Sequence, residues 1–307
     1  MQNLIGEADL EWILHRNCEG TEQLPIIKNR KREKTMPIKA DYHLHSSFSG
    51  DSQTPMKQMI ERGIELGLST MCFTEHIDMD YPYDKKEDEG MFDLNTYSYL
   101  YDLACAKGDY ADKIKILFGI EIGVQPHLAF KLAEYARTYE FDFIIASSHV
   151  CNHKDPYYPA FYEGRCDEEA YREYFSSIMD NLEAFPDFDV YGHLDYVVRY
   201  GKTKDAEYSY QKYQDVIDPV LEKIIDLGKG IELNTGAIRY GLKELNPCND
   251  ILRRYRQLGG EIITVGSDAH EPEYIADGFD RASEVLKECG FRYYTTFDKR
   301  IPEFHKL

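Results

Sequence analysis

Asp41-Tyr-His-Leu-His-Ser-Ser-Phe-Ser-Gly-Asp51 decides how this chain reads. It follows Met36-Pro-Ile-Lys-Ala, a short run that reads as a strand entering the fold, Ile38–His43. Side chains alternate faces along a strand, so residues i and i+2 point the same way. His43 and His45 are therefore aimed into one space at the carboxyl end of that strand. The Ser, Gly and Asp residues that follow have the composition of a loop. Two imidazoles and then an acid at a strand end make a candidate metal site. The competing reading is a pair of partly exposed histidines at a strand end.

Working outward, strand-like and helical stretches alternate. Further strands are expected at Thr70–Thr74, Ile114–Ile122, Phe143–Ser147, Asp189–Gly192, Gly230–Leu233 and Ile262–Val265. Helices are expected over 54–66, 126–139, 167–184, 207–228, 246–259 and 273–288, the first with Pro55 placed for its first turn. Such alternation implies parallel strands joined by right-handed crossovers. Seven repeats over ~270 residues approach the size of a (β/α) barrel, with a doubly wound open sheet as the alternative. The acidic, Tyr-rich segment 76–113 is expected to carry a short helix near 94–107, and Phe291–Phe297 an extra strand.

The strand ends share a chemistry. Glu75-His76, Glu121, His149, His193 and Asp268-Ala-His270 each follow an apolar run. With His43 and His45, six of the ten histidines fall at carboxyl ends of strands, the face on which parallel α/β folds build their sites. Separate structural explanations would need six coincidences. Adding Asp51, Glu121 and Asp268 gives nine candidate ligands. A closed zinc site uses about four, and a catalytic one about three plus water, so the set suits two or three ions with open positions. Imidazole and carboxylate donors without thiolate suit Zn, Mn or Fe. Ions clustered ~3.5–4 Å apart acidify water and clamp the oxygens of an in-line displacement, which is hydrolytic phosphoryl chemistry.

Composition narrows the partners. The chain has 307 residues, 43% hydrophobic and 30% charged, normal for a globular protein with a real core. No apolar run reaches the ~18 residues of a membrane helix, and no signal-peptide pattern opens the sequence. Seven scattered cysteines without a CxxC pattern fit reduced thiols and a cytoplasmic location. A net charge of −19 repels nucleic-acid phosphates, whereas a small substrate carrying positive groups meets no such barrier. Many of the 25 Tyr lie in loops and offer flat walls to a ring-bearing ligand. Residues 1–35, with a basic cluster at 28–34, read as an N-terminal extension, and 36–307 as the domain. No stretch fixes an oligomeric state.

The ordered set His-X-His, Glu-His, Gly-Ile-Glu, Ser-His, Gly-His and Ser-Asp-Ala-His resembles the PHP (polymerase and histidinol phosphatase) superfamily over about 36–300. Gly192-His-Leu-Asp-Tyr-Val-Val-Arg-Tyr200 and Glu232-Leu-Asn-Thr-Gly236 are similar to its histidinol-phosphatase branch. The resemblance implies a distorted (β/α)7 TIM-like barrel holding three metal ions, and a phosphomonoesterase acting on L-histidinol phosphate in histidine biosynthesis. It also implies how ligands are shared: His43, His45, Glu121 and Asp268 on one ion, Glu121, His149 and His193 on a second, and Asp51, His76 and His270 on a third. Some relatives carry His at position 51. Glu121, Asp268 and His270 become the candidate catalytic residues, the last two for proton transfer to the leaving alkoxide. A phosphoesterase for another small phosphate or nucleotide, or a non-catalytic metal-binding module, are the alternatives.

A guanidinium can grip phosphate with two parallel hydrogen bonds. Arg199, six residues after His193, is the first candidate for substrate binding. Arg239, in the loop after Glu232-Leu-Asn, is the second, and Arg165, in an aromatic loop, the third. Glu75 is expected to support the ligands from the opposite strand face, and Tyr42 and Asp195 to pack or orient. His15, His127, His153 and His305 lack a strand-end context.

Overall fold

The computed structural model describes residues 37–307, and the expected extension 1–35 lies outside the described residues. Seven parallel strands run in chain order: β1 (Ala40–Leu44), β2 (Thr70–Ile77), β3 (Lys115–Gly123), β4 (Phe143–Ser147), β5 (Val190–Tyr191), β6 (Gly230–Asn234) and β7 (Ile263–Gly266). Between them lie α1 (Met56–Leu66), α2 (Thr96–Asp109), α3 (Ala129–Thr138), α4 (Asp167–Ala184), α5 (Tyr210–Asp226) and α6 (Asn249–Gln257), with α7 (Phe279–Glu288) after β7. The sheet curls until its first and last strands meet. The Asp268 N–H donates to the His43 carbonyl at 2.7 Å, and the His45 N–H to the Ala269 carbonyl at 2.8 Å. The result is a nearly closed (β/α)7 barrel, and the open-sheet alternative is excluded.

The strands read as unbroken apolar runs because both faces are covered, one by helices and one by the barrel interior. All of β4, Phe-Ile-Ile-Ala-Ser, is buried. The helices turn one stripe inward; on α5 that stripe is Tyr213, Ile217, Val220, Leu221 and Ile224. Gly67 ends α1 at φ 79°, where its N–H reaches the Gly63 and Ile64 carbonyls.

Several bounds shift for identifiable reasons. β2 continues through Ile77, which keeps Glu75 and His76 on opposite strand faces. The helix expected from 246 starts at Asn249, because the Asn246 backbone pairs with Asn234 through N–H to carbonyl bonds of 2.7 and 3.1 Å. The helix expected from 273 is a short 3-10 turn and then α7, since Ala276 and Gly278 adopt positive φ. The extra strand forms as β8 (Tyr293–Asp298), paired antiparallel with β9 (Ile301–Lys306) rather than with the barrel. This hairpin docks through Tyr42, whose hydroxyl donates to the Phe297 carbonyl at 2.7 Å.

Candidate metal centre and its cleft

Glu121 sits at the centre of the barrel mouth, fully buried in β3. Its Oε2 lies 3.1 Å from His43 Nε2, 3.0 Å from His76 Nδ1 and 3.6 Å from His45 Nε2. Its Oε1 lies 2.9 Å from His193 Nε2 and 3.2 Å from His149 Nε2. Asp268 Oδ1 approaches His43 at 3.7 Å and His45 at 3.6 Å. Asp51 Oδ2 lies 3.1 Å from His270 Nε2 and 3.6 Å from His76 Nε2. All nine residues read from the strand ends thus converge. Parallel strands make this possible, since their carboxyl ends open on one face.

The electrostatics follow from this crowding. Burial alone would raise the Glu121 and Asp268 carboxyls, but the imidazoles of His43, His149 and His76 hold Glu121 well below the carboxylate range. His43, His45 and Arg199 do the same for Asp268. Burial lowers His45 well below the usual imidazole value, reinforced by His270 and His76. Burial opposes charge on His76 as well, yet Asp51 and Glu121 push it up to about 9.

The donor set fits a cation cluster on its own geometry. His45 Nε2, His76 Nδ1 and His270 Nε2 are buried and face carboxylate oxygens at 3.0–3.6 Å, yet none makes a well-aligned hydrogen bond. Buried polar atoms are normally satisfied, so three imidazole nitrogens crowded against carboxylates without an aligned hydrogen bond suit an electrophile between them. Ligand atoms of His45, His76 and His270 lie within 4.8 Å of one another, as do those of His43, His45 and Glu121, of His43, His193 and Asp268, and of His76, Glu121 and His149.

Supporting residues outside the nine aim the rings. Glu232 Oε1 accepts from His43 Nδ1 at 2.6 Å, and Asp78 Oδ1 lies 2.8 Å from His149 Nδ1. Ser49 Oγ, 3.1 Å from His45 Nδ1, donates to Glu75 Oε2 at 2.5 Å. A partner on Nδ1 fixes the tautomer and leaves Nε2 with its lone pair outward. Glu75 therefore supports the ligands as expected. Glu232 and Asp78 went unread as ligand supports, although Asp78 follows His76 by two, the same spacing that pairs His43 with His45. Gly266 keeps space for this arrangement, since a Cβ there would sit 2.2 Å from His43 Cβ and 2.4 Å from Glu232 Oε1.

A cleft of about 510 Å³ opens above the cluster. Phe92 and Tyr81 line one wall, and Tyr196, Tyr200 and Tyr157 another, with ring centroids 4.7–5.4 Å apart along each. Asp84, Asp88 and Asp155 also line it. Tyr81 donates to Asp155 at 2.5 Å.

The three arginines separate. Arg199 is buried beside Asp268 and lines the cleft. Arg239 donates to the Ser267 and Asp268 carbonyls at 2.9 and 2.6 Å and borders a depression shared with Asp51 and His270. Arg165 is not part of either lining; it lies over the Phe161 ring, donates to the Phe161 carbonyl and pairs with Glu173. Its loop turns Phe161 and Tyr162 into the core, which draws the guanidinium away from the barrel mouth.

Comparison with known proteins agrees with this construction. The PHP domain model matches residues 41–236. A histidinol-phosphatase of Lactococcus lactis is 32% identical over 261 residues, covering 84% of this chain and 94% of the relative. A probable histidinol-phosphatase of Clostridium acetobutylicum is 32% identical, covering 86% and 98%. The crystal structure of histidinol phosphate phosphatase from Lactococcus lactis, complexed with zinc, L-histidinol and phosphate, superposes with a TM-score of 0.77 at 30% identity, over 86% of this chain and 98% of that one. With the barrel, the strand-end ligands and these relatives in agreement, the chain belongs to the histidinol-phosphatase branch of the PHP-domain family.

Proposed function

We propose that this protein is a metal-dependent phosphomonoesterase that hydrolyses L-histidinol phosphate to L-histidinol and phosphate, a step of histidine biosynthesis. The observation that carries the reading is one cleft with two unlike ends. Its floor is the nine-residue imidazole and carboxylate cluster, and its upper walls are phenol rings and carboxylates. A phosphate belongs at the floor, and a leaving group with an imidazole and an ammonium belongs against the walls. A polynucleotide would meet Asp84 and Asp88 beside the single Lys85, and a chain of net charge −19, and be repelled.

His43, His45, Asp51, His76, Glu121, His149, His193, Asp268 and His270 would hold two to three divalent ions of the zinc, manganese or iron class. When bound, such ions neutralise phosphate charge and acidify water for attack on phosphorus. The chain supplies the rest. Glu121 divides its two oxygens between two sets of imidazoles. Arg199 and Arg239 orient the phosphoryl oxygens. Asp268 and His270 border the cleft where the leaving alkoxide emerges. In the ion-free protein burial disfavours a proton on His270, and Asp51 reverses this; with an ion bound, the nitrogen that faces Asp51 would be a ligand instead.

The test is phosphate release by protein reconstituted with each metal, from L-histidinol phosphate and from a neutral aryl phosphate. The expected result is a kcat/KM at least tenfold higher for L-histidinol phosphate, abolished by chelation. Equal rates on the two substrates would overturn the substrate assignment.

A further inference from the structure

Asp195 is a fully buried carboxylate that neither faces the metal cluster nor lines the main cleft. It follows β5 by four residues and touches the outer end of a chain of hydrogen bonds. Asp195 Oδ1 accepts from Asn246 Nδ2 at 2.7 Å, and Asn246 Oδ1 accepts from Arg199 Nε at 2.8 Å. Arg199 Nη1 then donates to Asp268 Oδ2 at 3.1 Å, and Arg199 Nη2 to Asn234 Oδ1 at 2.9 Å. On its other side, Asp195 Oδ2 accepts the Cys248 N–H at 2.9 Å and the Tyr208 hydroxyl at 3.3 Å.

We propose that Asp195 is a positioning residue for phosphate recognition: by holding the amide of Asn246 in one orientation, it sets the plane in which Arg199 presents its remaining donors to the cleft. The inference rests on the reading of Arg199 as a phosphate-binding residue.

The polarity of the chain makes the case. A guanidinium has five N–H groups, and three of those of Arg199 are taken by Asn246, Asp268 and Asn234. One N–H on each Nη is left for a ligand, in a ring plane flanked by Tyr240 at 4.9 Å and Tyr196 at 5.4 Å. The arrangement works only while Asn246 turns its oxygen, not its NH2, toward Arg199 Nε. Nothing in an amide by itself prefers that flip. Asp195 imposes it, because a carboxylate is acceptor-only and must face the Asn246 NH2. The Asn246 backbone is already locked to Asn234 at the end of β6, so the side chain has only this rotation left to settle.

An amide at position 195 cannot do the same. With its oxygen toward Asn246 Nδ2, its NH2 faces the Cys248 N–H and the Tyr208 hydroxyl. Turned the other way, its NH2 faces the NH2 of Asn246. Either orientation sets the NH2 against a donor, the Cys248 N–H or the Asn246 NH2, and a buried donor left unsatisfied is costly. Moving the carboxylate one step along the chain removes the conflict. In the double variant Asp195→Asn with Asn246→Asp, the new carboxylate accepts from Arg199 and from the new amide, whose oxygen accepts from Cys248 and Tyr208.

The experiment compares wild type, Asp195→Asn, the double variant and Arg199→Lys, each reconstituted with zinc and matched for metal content. The readouts are kcat and KM for L-histidinol phosphate and the inhibition constant of inorganic phosphate. Asp195→Asn should weaken phosphate inhibition and kcat/KM on the order of tenfold or more, and the double variant should recover to within about threefold of wild type. Rescue of phosphate affinity is the decisive result, since a merely structural carboxylate would restore melting temperature without it. The proposal is overturned if Asp195→Asn matches wild type in phosphate inhibition, or if the double variant folds and melts like wild type yet stays impaired. Weakened phosphate binding in Arg199→Lys alone would leave the arginine reading standing and remove Asp195 from it. Arg199→Lys indistinguishable from wild type would overturn both.

Discussion

Glu232 Oε1 lies 2.6 Å from His43 Nδ1, while its second oxygen accepts the backbone N–H of His193 at 2.9 Å. One buried carboxylate thus aims one ligand ring and pins the backbone of another. In Glu232→Gln an NH2 must face either His43 or the His193 N–H and the Asn234 amide. Loss of such a partner typically costs ~10–100-fold in metal affinity. Competition against a zinc chelator should show a loss of that size, with the circular dichroism spectrum unchanged. Retained affinity would show that Glu232 is a packing residue.

Metal uptake should release protons. In the ion-free protein burial disfavours charged imidazole, but Glu121 and Glu232 hold His43 well above its usual value, and Asp78 and Glu121 do so for His149. Asp51 and Glu121 bring His76 to about 9. Rings held above their usual value carry more proton in the ion-free protein than a ligating imidazole, which must be neutral. Zinc titrations in buffers of different ionisation enthalpy should therefore report net release of at least one proton per chain. Affinity should rise with pH through about 9, as His76 loses its proton in the ion-free protein. Proton-neutral binding at pH 7.5 would contradict the charge assignment.

Arg199→Lys keeps a positive charge but loses the planar fork. Losing one charge-assisted hydrogen bond costs ~1.5–3 kcal/mol, so kcat/KM for L-histidinol phosphate should fall on the order of ten- to a hundredfold. Arg165→Lys should stay within about twofold, because Arg165 is spent on Phe161 and Glu173 away from the cleft. Steady-state kinetics on metal-matched protein separates the two.

The rim carboxylates should sort substrates by charge. Asp84 and Asp88 line the cleft, and their side chains make no hydrogen bond or ion pair among the described residues. If they face the ammonium of the leaving group, each partly exposed contact contributes up to ~1 kcal/mol, roughly fivefold. The double change Asp84→Asn with Asp88→Asn should raise KM for L-histidinol phosphate several-fold, up to about 25-fold, and leave a neutral aryl phosphate within about twofold. An equal loss on both substrates would assign the pair to loop structure instead.

Strand–helix alternation and the acids and histidines closing each apolar run were legible because both are local. A period of two tells which residues share a strand face, and parallel strands bring their carboxyl ends together whatever the loops do. Residue order therefore determined the strand–helix alternation and placed nine ligand candidates on one face, while the choice of barrel over open sheet rested on the family resemblance those strand ends carry. The tertiary structure decided the pairings that cross strands: Glu232 with His43, 189 residues apart, Asp78 with His149, 71 apart, and Asn246 with Arg199, 47 apart. It also decided that Arg199 lines the cleft while Arg165 does not, and it revealed β9, whose two large apolar residues, Ile301 and Phe304, are exposed and do not follow a period of two. Such contacts depend on strand register and on how far the barrel closes. Those are set by packing of the whole core, and no spacing within one segment encodes them.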